Sequence, residues 1–191
     1  PALDYINQAM QLIDAESWNY PTSLTRDLYI QKAESEHLCG NNDIAENIFE
    51  IAVTHANSDL DKARVYLKKI HYYNNLGKFK EAYETGRVAI SPLGVRLPSK
   101  FVPPLLVKDI IQYRFLRGTR SIKELINVKE MTDEKQRMAV LLMAVVTKSA
   151  YQIKPELSIN ISAKIVNLSL RYGHADGSCV GFAAFGAIFH G

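Results

Sequence analysis

The sequence predicts an all-α fold in which helical hairpins stack on one another as a solenoid. Apolar residues recur with helical spacing along most of the 191 residues, and no stretch alternates with the period of a strand. The chain also matches itself at an offset of 37 positions. Finally, 47% of the residues are apolar and the formal net charge is only +3, a composition that suits a packed domain and excludes a disordered chain.

The clearest repeats are predicted in residues 1–91, where turn-forming residues separate stripes of helical spacing. Stripes begin at Leu3, Ile44 and Leu60, and their apolar members return every three or four positions. Gly, Asn and Ser between the stripes favour turns, and Ser58 or Asp59 can cap the helix that follows. We therefore expect consecutive helices joined by short turns.

Residues 92–131 are predicted to form an irregular connection with one helix. Prolines crowd its first part and interrupt any regular element. The helical spacing returns between Leu106 and Tyr113, and one further helical turn is expected over Ile122–Ile126.

Residues 132–191 are expected to hold further helical hairpins. Thr132 is a candidate cap, Pro155 suits a first helical position and Gly173 suits a helix end. Together the three regions predict a single helical-repeat domain over residues 1–191 with about eight helices.

The internal match defines a repeated unit of helix, glycine-containing turn and second helix. The matching pairs are Tyr29 and Tyr66, Lys32 and Lys69, Gly40 and Gly77, Ala45 and Ala82, and Ala52 and Ala89. This pattern resembles the tetratricopeptide repeat, whose usual period is about 34 residues, and it implies a right-handed solenoid. Gly86 departs from it, because the first unit has Phe49 there, and a poorer third copy is expected near Leu157. The alternative is an irregular helical bundle in which the match is accidental.

Several short phrases resemble the helical-repeat region of large bacterial signalling proteins. They are GRVAISPLGVRLP at 86–98, EMTD at 130–133, KPEL at 154–157 and VNLSLRYG at 166–173. In that family a Ser/Thr-kinase-like domain and a STAND-type ATPase domain precede the repeats, and a sensor domain and often a histidine-kinase module follow. The resemblance implies a regulatory, protein-binding role without catalysis. Because the chain begins at Pro1 and not at Met, we also expect it to be a fragment of a longer cytoplasmic protein.

No catalytic motif or cofactor site is predicted. The phosphate-binding loop fails because Ser99 stands where its second glycine is required, between Gly94 and Lys100, and no kinase signature is present. The histidines and cysteines lack metal-ligand spacing, and Cys179 is expected in the core. We therefore expect no enzyme, no cofactor and no metal in this part of the protein.

Binding residues are predicted by register with tetratricopeptide stacks, in which the first helix of each unit lines the concave groove. The candidates are Asp27, Glu34, His37, Arg64, His71, Asn74 and Asn75. A chaperone-type carboxylate clamp is disfavoured, because Ile30 and Leu67 stand at two of the positions it needs. The alternative is that Tyr66 and Tyr73 pack between helices and the polar residues merely face water.

The expected ligand is a protein partner or another domain of the same chain. The alternative is a small-molecule inducer, which would need a closed pocket of a few hundred Å³, whereas an open groove favours a protein. The basic row Arg114, Arg117, Arg120 and Lys123 is interpreted as a solvated face, so no nucleic acid is expected. No membrane span is expected, because unbroken apolar runs such as 139–146 are far shorter than about 20 residues.

Overall fold

The computed structural model describes residues 2–13, 17–18, 24–126 and 128–189. Over these ranges the chain forms ten α-helices, against the expected number of about eight, and no strand, which confirms the all-α class. The helices are α1 (Ala2–Gln11), α2 (Leu24–Leu38), α3 (Asn42–Thr54), α4 (Asp59–Asn75), α5 (Phe79–Ile90), α6 (Pro103–Arg117), α7 (Ile122–Ile126), α8 (Glu134–Ile153), α9 (Pro155–Tyr172) and α10 (Ser178–Phe189). None of the described helices is long and apolar enough to cross a bilayer.

Helices α2 to α5 form two hairpins whose backbones repeat with the 37-residue offset. Helices α2 and α4 end 37 positions apart, and α3 and α5 begin 37 positions apart. Gly40 and Gly77 follow the two first helices with φ of 87° and 70°, a conformation that glycine adopts without a steric cost. In each turn the next residue donates its N–H to a carbonyl five positions earlier, at 2.9 Å from Asn41 to Glu36 and at 2.9 Å from Lys78 to Tyr73.

The second helix of each hairpin packs through small residues. The alanines at the four matched positions, two in α3 and two in α5, are buried. Phe49 fills the space between its two alanines in α3, but α5 has Gly86 there, and a Cβ on it would lie 2.2 Å from Cγ2 of Val146. The departure from the repeat therefore has a packing reason, because a side chain of α8 occupies the space.

The second half of the chain continues the packing through α8. This helix lies against both α4 and α5 and pairs with α9, on which α10 packs in turn. Its cap is Asp133, whose carboxylate accepts from the N–H groups of Lys135 and Gln136, so the expectation of Thr132 as cap was wrong by one residue. Pro155 occupies the first turn of α9, as predicted. The expected second helix of a third copy is α10, but Cys179 within it is exposed and not in the core.

The connection after α5 is more ordered than its prolines suggest. Tyr83 donates its hydroxyl to the carbonyl of Pro98 at 2.6 Å, and Arg87 Nε donates to Leu97 O at 3.1 Å. Burial raises the pKa of Tyr83 to about 12, so the phenol keeps its proton as a donor. Beyond this segment come two helices, α6 and the short α7, where the sequence predicted one helix and a turn.

Two buried clusters hold these elements together. The larger one joins α2, α3, α4, α5, α8 and α9, and includes Phe49, Ile70 and Met143. The smaller one joins α6, α7, α9 and α10 around Tyr113 and Phe185, whose rings meet at 4.7 Å between centroids. Helix α9 therefore contributes to both clusters and connects α6 to the rest of the molecule.

Candidate functional site

Three helices that each open a hairpin lie next to one another and present polar residues to solvent. Helix α4 contacts α2 on one side and α8 on the other, while α3, α5 and α9 follow them as second helices. We call the outward surface of α2, α4 and α8 the first-helix face. Its titratable and basic members are Asp27, Glu34, Arg64, Lys68, His71, Glu134, Arg137 and Lys148. On each helix these positions fall within an arc of about 60°, since successive residues turn by about 100°.

The centre of the first-helix face is a charge cluster that spans all three helices. Lys68 Nζ of α4 lies 3.0 Å from Glu34 Oε1 of α2. Partial burial is the largest cause that lowers the pKa of His71. The charges of Lys68 and, to a smaller extent, Lys148 of α8 also lower this pKa, whereas the charge of Glu34 raises it. The imidazole is therefore neutral at neutral pH, with one nitrogen able to donate and the other to accept a hydrogen bond.

One end of the face is a cleft between α4 and α8. It has a volume of about 180 Å³ and opens to solvent. Its lining combines apolar and oppositely charged side chains: Leu60, Met138, Leu141 and Ala175 with Arg64, Arg137, Glu134 and Asp176. A wider depression of about 400 Å³ next to the loop between α3 and α4 shares Leu60 with this cleft. This end can therefore receive an apolar group flanked by charges of either sign.

A charge network fixes Arg64 at the rim of the cleft. Asp61 accepts from Arg64 at 3.0 Å, from the hydroxyl of Ser58 at 2.7 Å, and from Arg26 of α2. Burial alone would raise the pKa of Asp61, but the Ser58 hydroxyl and the two guanidinium groups outweigh burial and hold the pKa below its usual value. The carboxylate therefore stays ionised and joins the first turn of α4 to α2.

Some of the predicted binding residues are accessible to solvent, and others are hydrogen-bonded to neighbouring side chains. Asp27 and Asn75 are exposed, although Asp27 is 2.8 Å from Arg26, and Glu34, Arg64 and His71 lie on the first-helix face as described. His37 is half-buried, with Nδ1 2.8 Å from Asn42 Oδ1 and its ring edge against Tyr72.

Asn74 is a correction to the predicted set. Its side chain is buried, and Oδ1 accepts a hydrogen bond of 2.7 Å from Ser149 of α8. The amide therefore joins α4 to α8 and does not face solvent. The repeat register predicts a groove position for Asn74, but α8 packs on that side of α4.

Five residues of the face and its cleft were not predicted as binding residues. They are Lys68, Glu134, Arg137, Lys148 and Asp176. The third copy was placed on α9 and α10, so α8 was not recognised as a first helix. The signal was nevertheless present, because the polar residues of α8 at 134, 137 and 148 keep the helical spacing of one face.

Other candidate chemistry stays unsupported over the described residues. No group of three His, Cys, Asp or Glu side chains there could hold a metal ion, and Cys39 and Cys179 are both free and exposed. Arg120 of the basic row donates to the carbonyl of Arg117 at the end of α6, and Arg117 donates to the carbonyl of Arg120 in the loop that follows. Their guanidinium groups therefore complete the end of that helix.

Comparison with known proteins gives no match: no family model, no curated protein and no solved structure is significantly similar to this chain. The phrase at 86–98, which carries the resemblance noted above, has visible structural roles. Gly86 admits Val146, Gly94 adopts a φ of 88°, and Leu97 is buried.

Proposed function

We propose that this chain is a tetratricopeptide-like helical-repeat module that binds a protein partner along its first-helix face. The observation that carries the proposal is the side-by-side arrangement of α2, α4 and α8, each followed by its second helix. Hairpins that stack in this way bury their apolar surfaces against their neighbours and leave the first helices to line one continuous surface. The phrases at 86–98 and 166–173 support placing the module in a bacterial signalling ATPase or kinase.

The dimensions of the face suit a short peptide segment. From Leu60 at the cleft to His71 in the charge cluster, α4 rises by roughly 16 Å, at about 1.5 Å per residue. About five residues of an extended chain cover that distance. An apolar side chain of the partner would enter the cleft, and polar groups further along would meet Lys68 and the neutral His71.

Binding on this face would be transmitted through α4 and α8. The two helices share the buried Ser149–Asn74 hydrogen bond, and α8 also packs against α5 and α9. A partner that spans both helices therefore favours one relative orientation of the hairpins. In a larger signalling protein this change would bias the neighbouring ATPase or kinase module.

A small-molecule inducer is the second candidate, and the charged cleft is the observation that favours it. Arg64 of α4, Glu134 and Arg137 of α8, and Asp176 all line it, a set of charges suited to a zwitterion. Its volume of about 180 Å³ is, however, below the usual 300–1,000 Å³ of such pockets, and it is open. The geometry therefore supports a peptide ligand better.

The proposal is tested by selecting 12-residue extended peptides from a displayed library on the full chain. We expect Arg64→Ala/Lys68→Ala to weaken the best peptide by about tenfold, as expected for loss of about 1.4 kcal/mol of contact energy. The matched control is Lys80→Ala/Arg96→Ala, which removes the same charge from exposed residues off this face and should change affinity by less than about twofold.

Two results would count against the protein-binding role. Equal weakening by both variants would show that the effect is general electrostatics. Saturable thermal stabilisation by a single metabolite, abolished by Arg137→Ala, would favour the inducer in place of a peptide.

A further inference from the structure

Helix α6 has two apolar faces, and only one of them is packed by the part of the chain that the structure describes. Leu106, Ile110 and Tyr113 belong to the cluster formed with α9 and α10. On the outer side, the exposed fractions of Val107, Ile111 and Phe115 are 55%, 63% and 85%. These three residues are spaced i, i+4 and i+8, so they form one row about 12 Å long. A helix that is apolar on opposite sides is usually covered on both.

The charges exposed on α6 itself are of one sign. The exposed residues of α6 are all apolar or basic: Pro103, Pro104, Leu105, Val107, Lys108, Ile111, Arg114 and Phe115. The one carboxylate of the helix, Asp109, is buried and lies 3.1 Å from Lys164 Nζ of α9. Lys100, three residues before α6, is a further exposed cation, whereas α7 exposes one cation and one carboxylate, Lys123 and Glu124. The outer surface of α6 is therefore an apolar row with a positive border.

We propose that the outer face of α6 docks an acidic amphipathic helix of a protein partner. Apolar side chains at i and i+4 are the anchors by which one helix packs on another. Carboxylates that flank the partner's own apolar stripe would meet Lys108 and Arg114 at the edges of the row. Charge complementarity of this kind steers association and selects the partner.

Two other occupants fit the same surface less well. A second copy related by a two-fold axis would place Lys108 and Arg114 close to the same cations of its mate, without carboxylates to pair them. A bilayer would bury only one row of three side chains, and membrane affinity scales with the apolar area buried.

The face is held in position before any partner arrives. Asn167 Nδ2 of α9 donates to the backbone carbonyl of Asp109 at 2.9 Å, and the Asp109–Lys164 ion pair lies beside it. These contacts, together with the Tyr113–Phe185 ring contact, fix the rotation of α6 about its axis. Preorganisation reduces the entropy lost on binding. Since α6 packs on α9, its outer surface is separate from the first-helix face.

The test is a displayed library of 16-residue helices with randomised surface positions, selected on the full chain. We expect the enriched helices to carry a net negative charge and apolar residues at i, i+4 spacing. Ile111→Ser/Phe115→Ser and Lys108→Glu/Arg114→Glu should each weaken the best helix by about tenfold or more. Ile44→Ser/Val88→Ser, which replaces two exposed apolar residues on α3 and α5, should leave the affinity within about twofold. Equal melting temperatures of the variants and wild type establish that all are folded.

The proposal is overturned by enrichment of neutral or basic helices, by no enrichment, or by equal weakening in the control variant. Two further measurements identify the competing occupants. Binding of the chain to phosphatidylserine vesicles that Ile111→Ser/Phe115→Ser abolishes, without selection of acidic helices, would make this a membrane surface. A dimer in sedimentation that the same variant dissociates would make it a self-association surface.

Discussion

Replacing Gly86 with alanine is expected to destabilise the protein, although alanine is the better helix former. Gly86 lies in α5 opposite the buried Val146 of α8, and a Cβ on it would lie 2.2 Å from one methyl carbon of that side chain. Carbon atoms in contact are normally about 3.5–4.0 Å apart. Either the Val146 side chain must therefore turn, or the two helices must separate by about 1 Å.

The magnitude is the difference between two opposing effects. Alanine in a helix interior is more stable than glycine by about 1 kcal/mol, whereas overpacking a filled core costs about 1–3 kcal/mol. Val146 is fully buried, so turning its side chain away from the new methyl group would press a methyl group of Val146 against other core atoms. The difference is a net loss of about 1 kcal/mol, and of at most about 2 kcal/mol.

The assay is urea denaturation followed by circular dichroism at 222 nm, with linear extrapolation to water. The matched control is Gly186→Ala in α10, where a Cβ would meet nothing within 4 Å and the helix should gain about 0.5–1 kcal/mol. Adding Val146→Ala to Gly86→Ala should give a protein no less stable than Val146→Ala alone, because the new methyl group enters the vacated space. A gain for Gly86→Ala equal to the control, or simple additivity with Val146→Ala, would refute the reasoning.

Three further predictions concern single contacts. Gly173→Ala should lower the free energy of unfolding by about 3 kcal/mol or more, since φ is +117° and a Cβ would lie 2.5 Å from the carbonyl oxygen of Lys129. The same denaturation assay measures this, and a loss below about 1 kcal/mol would contradict the prediction. Ser149→Ala should cost about 1–3 kcal/mol by leaving the buried Asn74 carbonyl unpaired, and Asn74→Leu in that background should recover part of it. The folded state lowers the pKa of His71, so the stability that this residue contributes is complete above about pH 6.5 and is lost as the pH falls through the folded pKa. Melting temperatures measured from pH 7.5 to 5 should therefore fall with the pH. His71→Gln should reduce this dependence.

The sequence could predict the first two hairpins because their signals are local. The Gly40 and Gly77 turns depend on a backbone conformation that few other residues adopt, and the two turns repeat with the same offset as the helix ends. The start of α9 at Pro155 was predictable for the same reason. In each case the physical cause lies within a few residues of the element it defines.

The candidate site was only partly predictable. Glu34, Arg64 and His71 were placed by register, because the exposed side of an amphipathic helix follows from its own spacing. Asn74 could not be assigned, since its burial depends on Ser149, which is 75 positions away. The contributions of α8 were missed because nothing local distinguishes a first helix from a second one.

The sequence by itself determined that the chain is helical, where its clearest turns lie, and that α2 to α5 repeat. These properties follow from hydrophobic periodicity and glycine geometry, which act over one or two helical turns. Only the tertiary structure decided that α8 lies beside α4, that Gly86 serves close packing, and that the outer side of α6 is uncovered by the described residues. Those outcomes depend on which apolar surfaces meet, and in a chain of many similar helical stripes the pairing is settled by shape and volume across the whole core.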